Sequence, residues 1–458
     1  MTRRGFVSSA AAIATGAVRR SRAVQLPDST KQMQAILARI RAPQFPDRVF
    51  DIVQYGAIAG AQENSSDAIA KAIDACSKAG GGRVLVPRGE FLTGPIHLKS
   101  NSNLHLEEGA VLKFSTDPQK YLPLVLTRFE GTECMNYSPL IYAFEQNNVA
   151  VTGTGLLDGQ ADNDHWWSMR AKAKTDADAL VAMADRDVAV SQRIFGEGHY
   201  LRPNFFQPYR CNNVLIEGIR IRSSPMWELN PVLCRNVTVR NVNITSFGPN
   251  NDGCDPESST DVLIEGCVFE TGDDCIAIKS GRNRDGRRVG VACENIVIRD
   301  CTMKDGHGGV SLGSEGSGGI HNVFVDNCRM DSPNLQRALR LKTNSFRGGS
   351  YENVYFTNVT VGQVAEAVIE VDFFYPEYAN REGRGGPFQP LVKNVVVENV
   401  TSQKSKRALY LRGYPDAPVS GVRIAHCSFL DVAENDVIEN VKGLQLEDVK
   451  RNGKEMNV

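Results

Sequence analysis

The stretch DVLIEGCVF, Asp261 to Phe269, decides the fold because its pattern recurs along the chain. Apolar residues lie one and three places after its first residue, which is the period-two alternation of a strand with one buried face. A polar pair follows, and then another apolar position. Similar stretches begin at Asn148, Asn213, Asn236, Asn295, Asn322, Asn353, Asn394 and Gly421.

The sixth residue after most of these starting points is small and apolar, so the repeats predict a column of buried side chains. The column reads Ile219, Val242, Cys267, Cys301, Cys328, Val359, Val400 and Cys427. Its four cysteines are interpreted as free thiols of the core, and no Cys-x-x-Cys or zinc spacing is present. The chain has eleven cysteines, and disulfides stay the alternative if it is exported.

Gaps of variable length between constant strand segments are typical of a parallel β-helix, in which each coil packs only against its neighbours. A β-sandwich is less favoured because hairpin signals between the repeats are scarce. Before the repeats, Ser65 to Phe91 reads as a capped helix, a glycine stop and a strand. We expect this helix to cap the open N-terminal end of an all-β, single-stranded parallel β-helix.

The predicted organisation of the 458 residues is one large domain with a short leader. Residues 1–23 resemble a twin-arginine export signal, with Arg3 and Arg4 before small residues, although a basic tail reads similarly. Residues 24–49 are expected to be a linker or N-terminal segment and 50–458 the β-helix. An Ala-rich insertion at about 160–210 interrupts the repeats, and its Trp166 and Trp167 either stack on a ligand or pack the insertion onto the coils.

The overall charge limits the classes of binding partner that the protein is expected to have. A formal net charge of −1 calls for neither nucleic acid nor a membrane surface, and no apolar stretch is long enough to span a bilayer. We therefore expect no nucleic-acid partner and no membrane association.

Aligning the repeats beyond their strands brings charged residues into one register. Asp273 and His307 each lie twelve residues after the start of their repeat, and Asp252 and Asp273 each stand two before a cysteine. One coil later, Arg340 and Lys342 share a strand face that points away from buried leucines. Because neighbouring coils are about 4.8 Å apart, the sequence predicts that these residues meet on one outer face.

Asp274 adds a second carboxylate beside Asp273, and crowding of this kind has a chemical consequence. Two like charges 4 Å apart repel by about 4 kcal/mol at an effective dielectric near 20, so one carboxyl should keep its proton. A protonated acid beside ionised carboxylates is what glycosidic hydrolysis requires. A structural ladder or a calcium site is the alternative, but a histidine and two cations in the column argue against calcium.

At these residues the chain resembles the polygalacturonases, glycoside hydrolase family 28. Four motifs carry the resemblance: NND at 250–252, GDD at 272–274, GHG at 306–308 and RLK at 340–342. Asn251 and Leu341 depart from the usual threonine and isoleucine without changing a charged group. The resemblance spans roughly Phe50 to the C-terminus and implies that the β-helix is right-handed.

The resemblance also implies the role of each residue. Asp273 would be the general acid, and Asp252 with Asp274 would activate water, with His307 tuning the acid. Arg340 and Lys342 would bind a substrate carboxylate. Further substrate contacts are expected from Asn250, Tyr375 and Lys279.

The activity implied is hydrolysis of α-1,4-galacturonosidic bonds in polygalacturonate or pectin oligosaccharides, with inversion and therefore a carboxyl separation of roughly 6.5–9.5 Å. Exo cleavage is favoured over endo by the insertion and by SGRNRDGRR and DPESS, which begin at Ser280 and Asp255. The basic residues Lys279, Arg282, Arg284, Arg287, Arg288 and Arg347 either steer a polyanion or are solvated.

Three competing functions would suit the same fold: a rhamnogalacturonan-type hydrolase, a calcium-dependent pectate lyase and a non-catalytic carbohydrate-binding or adhesin β-helix. The intact histidine and basic motifs favour a galacturonic-acid substrate over the rhamnogalacturonan type. We expect no cofactor and no metal, a monomer, and a periplasmic or secreted location.

Overall fold

The computed structural model describes residues 29–60, 62, 64–376 and 382–457, so the export signal predicted for 1–23 lies outside the described residues. No helix in the described part is long and apolar enough to cross a membrane. The α-helices are α1 (Ser29–Arg39), α2 (Ser66–Lys78), α3 (Ala173–Asp185) and α4 (Asn283–Val289), and short 3-10 helices span Ile52–Tyr55, Pro118–Tyr121, Trp167–Ala171 and Val190–Gln192.

Strands dominate the fold. In chain order they are β1 (Val49–Asp51), β2 (Gly82–Val86), β3 (Gly89–Thr93), β4 (Ile96–His97), β5 (Ser102–Leu106), β6 (Ala110–Phe114), β7 (Val125–Phe129), β8 (Thr132–Asn136), β9 (Ile141–Phe144), β10 (Asn147–Gly153), β11 (Leu156–Asp158), β12 (Ile194–Phe195), β13 (Phe206–Tyr209), β14 (Asn212–Glu217), β15 (Arg220–Arg222), β16 (Arg235–Arg240), β17 (Asn243–Ser246), β18 (Thr260–Glu265) and β19 (Val268–Thr271). The series continues with β20 (Ile276–Ile278), β21 (Cys293–Arg299), β22 (Thr302–Met303), β23 (Val310–Gly313), β24 (Ile320–Asp326), β25 (Arg329–Met330), β26 (Arg337–Lys342), β27 (Ser350–Thr357), β28 (Thr360–Gln363), β29 (Ala367–Asp372), β30 (Leu391–Glu398), β31 (Thr401–Lys404), β32 (Arg407–Arg412), β33 (Val419–Ser420), β34 (Val422–Phe429), β35 (Val437–Glu439), β36 (Val441–Lys442), β37 (Gln445–Arg451) and β38 (Lys454–Glu455).

Three parallel faces run the length of the molecule, and most coils contribute one strand to each face. Face A stacks β2, β5, β10, β14, β16, β18, β21, β24, β27, β30 and β34, and face B stacks β3, β6, β11, β15, β17, β19, β22, β25, β28 and β31. Face C runs from β4, β9 and β13 through single bridges to β20, β23, β26, β29, β32 and β35. This is a single-stranded, right-handed parallel β-helix, and the predicted fold class is confirmed.

The first residue of each repeat has a backbone reason for its identity. Asn213, Asn236, Asp261 and Asn295 all have φ between 57° and 60°, in the left-handed region that asparagine, aspartate and glycine tolerate best. The asparagines also bond between coils; for example, Asn236 Nδ2 donates to Asn213 Oδ1 at 2.7 Å. Each repeat therefore begins at a sharp bend that an amide ladder holds in register.

The interior is apolar, as the strand alternation predicts. The column from Ile219 to Cys427 is buried at every position that the sequence singled out. All eleven cysteines lie in the described part of the chain, and all are free and buried. The interpretation of Cys267, Cys301, Cys328 and Cys427 as core thiols is therefore confirmed, since small polarisable side chains fill the gaps between coils.

Two helices of the N-terminal part pack against the coils. Helix α2 packs its buried Ile69 and Ile73 against the first coil, as expected of a cap. The stretch before the β-helix contains α1, whose Ile36 lies on an apolar strip of face A that includes Val297 and Phe324. These large side chains point out of face A, so α1 covers them from water.

The insertion is shorter than 160–210, because Phe206–Tyr209 forms β13 of face C. Its helix α3 packs beside the antiparallel hairpin β7–β8, to which β12 adds a third strand. Trp166 is buried against Tyr121, with ring centroids 5.3 Å apart, and the Trp167 indole donates to the Ser224 carbonyl at 2.8 Å. Both tryptophans therefore pack the insertion onto the coils.

Candidate active site

Face C carries the predicted cluster because its strands are in register. Ile276 pairs with Val310, and Val310 pairs with Leu339, and all three side chains point into the core. The turns that enter these strands lie side by side, so Asp273 and His307 meet although 34 residues separate them. The structure thus brings together Asp252, Asp273, Asp274, His307, Arg340 and Lys342.

Asp274 is wholly buried and held by cations. Lys342 Nζ lies 2.5 Å from its Oδ2, and Arg340 Nη1 lies 3.8 Å from its Oδ1. The Ser311 hydroxyl donates to Oδ1 at 2.9 Å. Burial alone would raise the pKa of Asp274, but Lys342, Arg340 and Lys279 hold it well below its usual range. Asp274 is therefore ionised at neutral pH.

Asp273 and His307 form a pair that faces the solvent. His307 Nδ1 lies 2.9 Å from Asp273 Oδ1, and the imidazole is nearly half exposed. The backbone N–H of Asp274 also donates to Asp273 Oδ1 at 3.0 Å. The hydrogen bond that the His307 ring donates to the Asp273 carboxylate, acting against the effect of burial, raises the pKa of His307. A shared proton at the open side of the cluster can be delivered to a bound molecule.

Asp252 is a buried carboxyl with a raised pKa. It is buried, Lys279 Nζ lies 3.6 Å from its Oδ2, and its Oδ1 receives no hydrogen bond from the described residues. Burial first, and then the charges of Asp255 and Asp273, raise its pKa well above the usual range. Asp255 and the neighbouring Glu228, both buried, also have raised pKa values, mainly through burial. Sequence reasoning identified neither of these two acids.

The separation of the carboxyl groups is smaller than expected. One oxygen each from Asp252, Asp273 and Asp274 lie within 4.8 Å of one another. The expected separation of roughly 6.5–9.5 Å is therefore wrong for these atoms. Two hydrogen bonds of about 2.8 Å span a gap of this size, so one water molecule fits between two of the oxygens.

Three clustered carboxylates have the donor chemistry of a divalent cation site, but their neighbours do not suit one. The ammonium groups of Lys342 and Lys279 lie against Asp274 and Asp252. A divalent cation there would face two fixed positive charges within a few ångströms. The residues present therefore fit proton transfer better than metal binding.

The cluster lies in a cleft of about 890 Å³. The predicted residues Asn250, Lys279, Arg340, Lys342 and Tyr375 all line it. The Tyr375 ring lies 5.4 Å from Lys342 Nζ and 5.7 Å from Arg340 Cζ, measured to its centroid. The amide oxygen of Asn250 instead accepts from Arg170 and Arg202 of the insertion, at 3.1 and 2.7 Å.

Only part of the predicted basic patch belongs to the cleft. Arg282 and Arg347 line it with Lys279. Arg284 forms an ion pair with Asp187. The remaining two basic residues have other partners. Arg287 donates to the backbone carbonyls of Phe346 and Arg347. Arg288 forms ion pairs with Asp285 and Glu133.

Several lining residues escaped sequence reasoning. Trp227 is the tryptophan at the cleft, with Lys279 Nζ 4.4 Å from its ring centroid. Glu370 pairs in register with Arg340 on the next strand of face C, so extending the repeat alignment by one coil would have found it. Other lining residues that were missed are Glu130, Glu315, Gln336, Arg337, Glu366, Arg407 and Tyr410.

Comparison with known proteins agrees with this geometry. The family model described as glycosyl hydrolases family 28 matches residues 76–447. A probable polygalacturonase of Vitis vinifera is 28% identical over 82% of this chain and 73% of its own, and an exo-poly-alpha-D-galacturonosidase of Dickeya chrysanthemi is 27% identical over 77% and 63%.

Among solved structures, a hyperthermoactive exopolygalacturonase from Thermotoga maritima superposes with a TM-score of 0.90 at 45% identity, covering 93% of this chain and 97% of its own. The family match extends over most of the chain and includes all four motifs of the cluster. This chain belongs to glycosyl hydrolases family 28.

Proposed function

We propose that the protein hydrolyses α-1,4-galacturonosidic bonds of polygalacturonate and releases units from a chain end. The observation that carries the proposal is the Asp273–His307 pair, which opens into a cleft beside one ionised and one high-pKa carboxyl. The relatives that are named exo-acting galacturonan hydrolases support the same substrate class.

Asp273 acts as general acid. It is the carboxyl of the three with the most exposed side chain, at 18%, so it can approach the glycosidic oxygen. His307, hydrogen-bonded to it, keeps a proton within the pair. Protonation of the leaving oxygen allows the sugar to depart as the bond to the anomeric carbon breaks.

Water is the nucleophile. Asp274 cannot reach an anomeric carbon because it is wholly buried and held by Lys342 and Ser311. Asp252 is buried as well. A water molecule between the two carboxyls can lose its proton to one of them while it attacks, and direct attack by water inverts the anomeric centre. We therefore retain inversion despite the short separation of the carboxyl oxygens.

The acidic substrate is recognised by fixed cations. Lys342 and Arg340 lie beside the Tyr375 ring at the cleft wall, where a uronate carboxylate can meet both charges. A rhamnose unit offers no carboxylate to this pair. The arrangement therefore favours galacturonate over rhamnogalacturonan next to the cleaved bond.

Exo action is supported by the end of the cleft that faces the N-terminal coils. Arg170 from the insertion and Glu130 from the β7–β8 hairpin both line the cleft there. Arg202 bonds Asn250 and the Pro249 carbonyl, which holds the insertion against the NND loop. Elements standing across one end of a groove favour binding of a chain terminus.

The test is the product distribution from polygalacturonate at early times. We expect free monomer or dimer with little loss of viscosity; a ladder of intermediate oligomers would establish endo cleavage. Absorbance from a new double bond, or loss of activity in a calcium chelator, would favour the lyase. No product under any of these conditions would favour a carbohydrate-binding protein. Proton NMR of the first product should show the β-anomer, and an α-anomer would overturn inversion.

The raised pKa of His307 makes a prediction about pH. Below that pKa the Asp273–His307 pair holds the extra proton, and above it the pair loses both this proton and its ionic contact. We expect kcat/KM to fall as pH rises through a value above 6.5, together with the pair's contribution to stability.

An NMR titration of the His307 ring should give the same pKa, and Asp273→Asn should lower it. His321→Asn is the control, since His321 bonds Ser350 instead. An unchanged alkaline limb in His307→Asn would contradict the assignment.

Monomeric state and export to the periplasm or medium are part of the proposal. Export rests on Arg3 and Arg4, outside the described residues. Fractionation of cells carrying the natural gene, compared with a double lysine substitution, tests it; retention of both forms in the cytoplasm would refute it.

A further inference from the structure

Beyond Arg340 the cleft continues over later strands of face C. The lining there comes from β26, β29 and β32 and from the turns that lead into them. Its residues are Gln336, Arg337, Glu366, Glu370, Arg407 and Tyr410. None of these has a part in the proton transfers described above, so their polar groups call for another role.

Glu370 holds two arginines at once. Its Oε1 accepts from Arg340 Nε at 3.0 Å and its Oε2 accepts from Arg337 Nε at 2.5 Å. The Arg337 Nη1 donates to the Gln336 side chain at 2.6 Å. Among the described residues, no acceptor forms a hydrogen bond with Nη2 of either arginine. Both guanidinium groups are thus fixed by their inner nitrogens, with terminal donors left over.

The cluster of Arg337, Arg340 and Glu370 carries an excess of positive charge. Two guanidinium ions share the single carboxylate of Glu370, and all three side chains are largely buried. The nearby acids are engaged elsewhere: Glu366 lies 3.1 Å from Lys406, and Asp372 lies 4.0 Å from Arg412. Arg340 also faces Asp274, so the uncompensated positive charge falls on Arg337.

A fixed, partly buried guanidinium with a spare donor suits a carboxylate ligand. Arg340 lies beside Tyr375 and Lys342, next to the catalytic carboxyls. Arg337 begins the same strand, β26, and its Nε reaches Glu370 on β29 of the next coil. The cleft is lined as far as Tyr410 on β32, two coils beyond Arg340. Because successive coils rise by about 4.8 Å, the cleft has room for another sugar there.

We propose that Arg337 binds the carboxylate of the second sugar on this side of the cleaved bond. The preferred substrate then carries free-acid galacturonate at two successive positions there, and Glu370 positions both arginines. This inference rests on the proposed galacturonan hydrolysis.

The test compares digalacturonate, which cannot reach Arg337, with trigalacturonate, which can. For Arg337→Gln we expect kcat/KM on trigalacturonate to fall about tenfold, the effect of one lost charge-assisted hydrogen bond, and digalacturonate turnover to stay unchanged. Arg337→Lys should recover part of the loss. Arg329→Gln, an exposed arginine on β25 of the same coil, is the matched control.

A second experiment changes the substrate as well as the protein. One substrate is trigalacturonate whose carboxyl is esterified only at the second sugar on the Arg337 side of the cleaved bond. Its kcat/KM with the unaltered enzyme should fall by the same factor of about ten. Its kcat/KM with Arg337→Gln should fall no further. Equal losses on both substrates would mean that Arg337 acts only through Glu370 and Arg340, and no loss would mean that it binds nothing; either result overturns the inference. Failure of the unaltered enzyme to cleave any galacturonate would refute the proposed function instead.

Discussion

Asp273→Asn is expected to remove nearly all turnover, with kcat lowered by a factor on the order of 10³, while the substrate still binds. The change keeps the size and polarity of the side chain but takes away the proton that the leaving oxygen needs. Lys342, Arg340 and Tyr375 are untouched, so the affinity for a short galacturonate oligomer should remain. Single-turnover kinetics and calorimetry with trigalacturonate measure the two quantities.

Asp300→Asn is the matched control for this change. Asp300 is half exposed at a bend with φ of 56°, where asparagine is equally tolerated, and it lies on the coil of His307 but outside the cleft. We expect full activity from it. Turnover close to normal in Asp273→Asn would refute the assignment of Asp273 as general acid. Loss of both substrate binding and turnover would indicate a misfolded cleft.

Lys342→Met should cost both stability and activity. It leaves the buried Asp274 carboxylate without its 2.5 Å partner, and removing one member of a buried pair typically costs about 3–5 kcal/mol. Arg340, 3.8 Å away, offsets part of that loss. We expect a lower free energy of unfolding in denaturant at neutral pH and a loss of kcat/KM, because the substrate carboxylate also loses a cation.

The pH dependence of this loss has a definite sign. The pKa of Asp274 is depressed in the folded protein, so its pairing stabilises the fold above its ordinary pKa and the effect disappears as pH falls through the depressed value. The stabilities of the normal and Lys342→Met proteins should therefore converge in acid. Lys304→Met, which breaks an exposed pair with Glu270, should change little at any pH.

The double variant Lys342→Met with Asp274→Asn separates the two effects. Removing the buried charge should restore most of the stability and none of the turnover, since the carboxylate beside the attacking water is gone. A Lys342→Met protein as stable as the unaltered one would contradict the burial argument.

The repeating register of the coils explains how much of the fold and of the candidate site could be predicted from the sequence. Each coil packs on the next with the same alternation, so counting residues from Asp261 or Asn295 was enough to align Asp273 with His307 on neighbouring coils. The same counting indicated a core column of thiols, and the structure has it. The bend at each repeat start is also local, because a left-handed φ selects asparagine, aspartate or glycine whatever lies around it.

The sequence was silent where a residue's surroundings come from segments distant in the chain. It indicated that some carboxyl would keep its proton, and the structure adds that burial and Asp255 raise the pKa of Asp252. Arg170 reaches Asn250 from an insertion whose docking no periodicity describes. Likewise, no local pattern places α1 on face A, because its apolar partners come from distant coils.

The sequence by itself therefore determined the β-helix, the family and which side chains share the register of the proposed active site, because these follow from a pattern repeated at every coil. Only the tertiary structure decided the 4.8 Å grouping of carboxyl oxygens, the place of Trp227 in the cleft and the clamp of Glu370 on two arginines. Distances and desolvation depend on the turns and insertions between coils, whose lengths differ and whose packing no local alternation encodes.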